Sequence, residues 1–154
     1  MATAVATTTA ATTATAAEPA VPAAPARSMP AMPAASTIRL GALFAGLAVA
    51  LGAFAAHGLK HHLDDYQLTI FETGVRYQMY HGLALLLCGA LGAAGWRTGK
   101  AAVAFVAGIV LFSGSLYGLA LVQWKWLGPV TPVGGVAFLI GWLLLIVARR
   151  SDGA

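Results

Sequence analysis

Four apolar runs, each long enough to cross a bilayer, divide this chain and leave room for few kinds of fold. The first, Ile38 to Ala56, holds nineteen residues with one charge, Arg39, near its edge. At about 1.5 Å per residue such a helix spans a hydrocarbon core of roughly 30 Å. Further runs lie at about 77–94, 101–122 and 130–148. The sequence therefore predicts an all-α fold, an integral membrane four-helix bundle whose transmembrane domain covers 38–148. Composition agrees: 59% of residues are hydrophobic and 9% are charged, whereas soluble domains carry roughly a quarter charged residues. The tripeptide Ala53, Phe54, Ala55 imitates a signal-peptidase site, and cleavage there would leave three spans. The long polar tract ahead of the run argues against a secretory signal.

That tract, residues 1–37, is Ala, Thr and Pro with single charges at Glu18 and Arg27. It has no aromatic residue to anchor a core and is expected to be a disordered tail. Met29 and Met32 lie close to the first run, so either is a candidate natural start. Residues 149–154 form a short tail at the other end.

Between the first two runs, Asp64, Asp65, Tyr66 and Gln67 offer a helix start with an acidic cap and Gln three positions on. Leu68, Phe71 and Val75 then share one face, while Asp65, Thr69, Glu72 and Arg76 share the opposite one. This predicts a short amphipathic helix between the first two spans. Gly74 is a point where it would bend, and residues 65–94 form either one helix or two.

Loop charges set the expected orientation. Arg39, Arg97, Lys100, Arg149 and Arg150 fall on one side of the bundle and Lys60, Arg76 and Lys125 on the other. Five against three places both termini in the cytoplasm. Trp96 would mark the inner interface and Trp124 with Trp126 the outer one.

Lipid tails are as apolar as leucine, so helix association needs close backbone approach at small residues. Ala48, Gly52 and Ala56 form one such stripe, and Gly114 with Gly118 another. Packing within the chain is the first reading, and a homo-oligomer contact the second.

The residues able to carry chemistry are His57 at the end of the first span and Tyr77, Gln78, Tyr80 and His81 at the start of the second. They are expected at similar depth near the outer interface. An unpaired polar group in hydrocarbon costs several kcal/mol, so His81 is expected to bond another helix or His57. The plain reading is that these groups hold the bundle together, which makes the protein a structural or accessory membrane bundle. The alternative is a membrane protein that handles a small ligand, lipid or proton through this outer His and Tyr cluster.

Other classes find no support. No nucleophile with a base, paired carboxylates or phosphate-cradling loop is visible, so no enzyme and no catalytic residue is expected. His57, His61 and His62 resemble a metal cluster by spacing but lack completing ligands, and no haem context is present, so no metal or cofactor is expected. Cys88 reads as a packing residue. Basic residues scattered along the chain make no nucleic-acid groove. The expected partner is the lipid bilayer.

The stretches GAFAAHGL at Gly52 to Leu59, FETGVRYQMYHGLALL at Phe71 to Leu86 and FSGSLY at Phe112 to Tyr117 resemble the YgdD-like family of small inner-membrane proteins. That family carries a domain of unknown function, 423, and its eukaryotic relatives are similar to transmembrane protein 256. The resemblance covers about Thr37 to Ala148, and Ala55 and Gly74 differ from the commonest family residues, Gly and Ala. It implies a four-helix protein of the bacterial inner membrane and leaves activity open.

Overall fold

A computed structural model describes residues 32–151. The expected disordered tail therefore lies almost wholly outside the described residues, as does Met29. Met32 is inside them and packs against the core.

Four long helices follow one another: α1 (Ala34–His57), α2 (Asp65–Ala93), α3 (Gly99–Leu121) and α4 (Val130–Ile146). Short 3-10 turns, Leu59–His61 and Lys125–Leu127, lie in the connections at one end. Helices α1, α3 and α4 are long and apolar enough to cross a membrane. Helix α2 has the length but not the hydropathy, because Arg76, Tyr77, Gln78, Tyr80 and His81 interrupt its apolar residues.

The start of α2 follows the expected cap. Asp64 Oδ1 accepts the Gln67 backbone N–H at 2.7 Å, and Gln67 Oε1 accepts the Asp64 N–H at 3.1 Å. Two otherwise unsatisfied donors are thereby paired. The helix expected between the first two spans is present but not short. It runs unbroken for 29 residues, about 43 Å. Gly74 does not bend it. A Cβ there would lie 2.9 Å from Tyr117 Cε1, so this glycine admits a neighbouring ring instead.

Helices α1 and α2 run antiparallel with their backbones nearly touching. A Cβ at Gly41 would fall 2.8 Å from Leu86 N, one at Gly82 3.0 Å from Ala45 N, and one at Gly89 3.0 Å from Ile38 N. Ala48 and Ala55 are buried in the same seam. Of the stripe read from sequence, Ala48 is buried, Gly52 is half-buried against Val75, and Ala56 is exposed. The seam turns instead through Gly41, Ala45 and Ala48, because the partner glycines of α2 face that side of α1.

Helices α3 and α4 are joined by phenylalanines seated in glycine notches: Phe105 against Gly141, Phe138 against Gly108, and Gly134 directly on the Phe112 backbone. At Ile109–Ser113 the α3 backbone widens into a π turn. The sequence-expected stripe is only half realised here. Gly118 receives Leu127 of the following turn, whereas Gly114 is exposed and has nothing within 4 Å of where a Cβ would lie. Both glycines follow the π turn on one regular α-helical segment, so they still share a face, and it is Leu127 folding back onto Gly118 that distinguishes them.

At the opposite end the α2–α3 connection pairs with the C-terminal segment. Trp96 and Arg150 form an isolated antiparallel bridge, Arg97 N–H donates to Arg149 O at 2.9 Å, and Ser151 N–H donates to Gly95 O at 2.7 Å. Thr98 Oγ1, buried at the start of α3, donates to Cys88 O at 2.7 Å and ties that helix to α2.

Candidate functional site

Helix α2 lies between α1 and α3, and α4 packs along α3. The face of α2 that enters the bundle carries two polar residues, Gln78 and His81, each 4% exposed. They lie one turn apart but reach different helices.

Gln78 bridges three helices. Its Nε2 donates to the Phe44 carbonyl of α1 at 3.0 Å, and its Oε1 accepts the Tyr117 hydroxyl of α3 at 2.9 Å. An amide is suited to this, since it presents a donor and an acceptor on one rigid plane. The Tyr117 ring lies against Phe71, centroids 4.8 Å apart, two helical turns before Gln78.

His81 joins α2 to α4. The indole N–H of Trp142 lies 3.2 Å from Nε2, and Nδ1 lies 2.8 Å from the Tyr77 carbonyl. Indole only donates, so Nε2 accepts and the proton sits on Nδ1, where it donates to Tyr77 O. Only the neutral imidazole in this tautomer satisfies both bonds. The ring is stacked on Phe138, with centroids 3.4 Å apart and planes 7° from parallel, and Phe105 covers another side at 5.5 Å.

A shallow groove of about 470 Å³ opens beside this stack between α2 and α4. Tyr77, His81, Phe112, Phe138, Leu139 and Trp142 line it. Tyr77 lies across its rim, 4.6 Å from Phe112, and is 40% exposed. A smaller recess lies on the α1 side of α2 beside Gly52, Glu72, Val75 and Arg76.

The structure brings together only part of the cluster read from sequence. Tyr77, Gln78 and His81 share the neighbourhood just described. Tyr80 is 57% exposed, and its ring centroid lies 6.2 Å from that of Tyr77. His57 stands apart. Since Gly52 meets Val75 and Ala45 meets Gly82, His57 is level with about Ile70, and it is exposed at the end of α1. His81 is level with about Gly46, near the middle of α1, rather than one turn below its end. The difference arises because α2 starts at Asp65, three turns earlier than the apolar run suggests. Among the described residues no group of three or more His, Cys, Asp or Glu is placed to hold a metal ion.

The partners of the cluster, Tyr117, Trp142 and the Phe44 carbonyl, were not expected from sequence. For Trp142 a signal existed. The other three tryptophans flank apolar runs, whereas Trp142 lies inside the fourth, where its N–H needs a partner. A backbone carbonyl such as that of Phe44 has no such signal.

Apolar helices arranged in series and cross-linked by buried polar side chains define a multi-pass helical membrane protein. The chain belongs to the family described as Protein of unknown function (DUF423), whose model matches residues 51–135. It is 52% identical over 112 residues to a UPF0382 membrane protein of Staphylococcus aureus, covering 72% of this chain and 92% of that one. With the UPF0382 membrane protein YwdK of Bacillus subtilis it shares 47% identity over 121 residues, covering 72% and 93%. No solved structure matches the chain.

Proposed function

We propose that α2 crosses the bilayer with the other three helices. The protein is then a four-span bundle of the bacterial inner membrane with both termini in the cytoplasm. It serves as a structural or accessory membrane component without catalytic activity of its own. The observation that carries this reading is the engagement of Gln78 and His81: each side-chain N and O atom has a hydrogen-bond partner within the bundle, and three of the four bonds cross to another helix. Buried polar groups that bond one another across helices act as struts.

Depth supports a fourth span. The α1 residues level with Arg76 to Gln78 include Val49, 63% exposed, and a turn further out Phe54, 51% exposed. Such apolar exposure calls for lipid, so α2 at that level is in lipid too. Arg39, Arg97, Lys100, Arg149 and Arg150 gather toward one end of the helices, which favours that end as cytoplasmic. The likeness to the YgdD-like proteins and to eukaryotic transmembrane protein 256 belongs to the same reading and would extend this architecture beyond the bacterial relatives.

The groove beside His81 favours a second reading, in which a small apolar ligand or lipid chain lies against Tyr77 and Trp142. Purification separates the two. Replacing Gln78 or His81 lowers thermal stability if they are struts. If the groove holds a ligand, replacing Leu139 with Trp leaves stability intact and removes a bound species seen by native mass spectrometry.

A further inference from the structure

Among the described residues, one face of α2 has no partner in the fold. Thr69, Glu72, Arg76, Tyr80, Leu83, Leu87 and Ala90 are all exposed and follow one another at spacings of three and four. At about 100° per residue they form a stripe roughly 80° wide along the whole helix. Its inner half is apolar, and its outer half is charged or hydroxylated. Among the described residues Glu72 makes no side-chain bond, and Arg76 reaches only Thr73 Oγ1, at 3.3 Å on its own helix.

We propose that this stripe is the contact between two copies of the chain, with α2 packed against α2 about a two-fold axis along the membrane normal. The inference rests on α2 spanning the bilayer, as argued above. Charge complementarity chooses the occupant. Glu72 and Arg76 are one turn apart with opposite signs, so in a parallel pair each Glu72 meets Arg76 of the second copy, and the match occurs twice. An isologous contact requires such self-complementarity. Lipid tails would offer neither charge a partner at the level of the exposed Phe54. Along the axis Glu72 and Arg76 are offset by four residues, about 6 Å, a step that the long Arg76 side chain can cover to reach Glu72 of the second copy. Below them Leu83 and Leu87 continue the seam with the three-and-four spacing that coiled helices use.

The test uses the full chain in native membranes with Cys88→Ser, so that no other thiol is present. Leu83→Cys should form an intermolecular disulfide on mild oxidation, whereas Val136→Cys on the exposed face of α4 should not. Glu72→Arg alone or Arg76→Glu alone should cut the cross-linked fraction by about five-fold or more, and the double exchange should restore it. No cross-link at position 83, an equal one at 136, or indifference to the single exchanges would overturn the dimer. So would a monomer that retains phospholipid in native mass spectrometry, which would assign the charges to headgroups. Labelling of Leu83→Cys by a membrane-impermeant maleimide would show instead that α2 lies in water, and the four-span reading would fail together with the dimer. A shielded thiol that does not cross-link removes the dimer alone.

Discussion

The indole N–H of Trp142 points at Nε2 of His81 across 3.2 Å, and this is the only hydrogen bond that joins α4 to α2 among the described residues. The two helices do not approach closely through their backbones. Side chains alone connect them, through this bond and the stack of His81 on Phe138. A two-helix pair, α1 with α2, is thus joined to another, α3 with α4, partly through one imidazole ring.

Removing either end of that link should weaken the junction between the pairs. His81→Leu and Trp142→Phe are each expected to destabilise the bundle by about 1 kcal/mol. A double-mutant cycle should give a coupling of about 0.6 kcal/mol and no more than about 1.7, the range found for interhelical bonds in membranes. Thermal unfolding of the purified variants measures it. Additive effects would mean that the two side chains do not interact.

Gln78 and Tyr117 should behave as one unit. Tyr117→Phe leaves Oε1 of Gln78 without its donor, and Gln78→Leu leaves the Tyr117 hydroxyl and the Phe44 carbonyl unpaired. Each single change is expected to cost about 1–2 kcal/mol, while the double variant should be less destabilised than the sum. The same unfolding measurements decide it.

The glycines should divide sharply. Gly82→Ala and Gly41→Ala place a methyl group on the backbone of the opposite helix, so each should cost about 1–3 kcal/mol, with larger residues preventing folding. Gly114→Ala should be neutral or slightly stabilising, since nothing lies near its Cβ position and alanine favours helix. A destabilising Gly114→Ala would show that this position packs against something outside the chain.

Reporter fusions test the topology. A reporter at the C-terminus should be cytoplasmic and one inserted between His61 and Gln67 should be external. Exchanging Arg97 and Lys100 for neutral residues leaves three charges against three and should produce mixed orientation. Cytoplasmic signals from both positions would remove α2 from the bilayer.

Sequence alone determined the class of the protein. The hydrophobic runs, the Asp64 and Gln67 cap and the distribution of Lys and Arg are local properties, readable because solvation and helix capping act over a few residues. Local pattern also singled out Gln78 and His81 as residues needing partners. Which partners they have, and at what depth, was decided only by tertiary structure. A polar run was read as the outer end of a span, yet the register between α1 and α2, set by Gly41, Gly82 and Gly89, carries His81 to mid-height and leaves His57 behind. Spacing likewise placed Gly114 with Gly118 on one face, but only the fold shows that Leu127 covers Gly118 and leaves Gly114 open. Register and helix phase depend on contacts between segments far apart in the chain, and no window of neighbouring residues contains them.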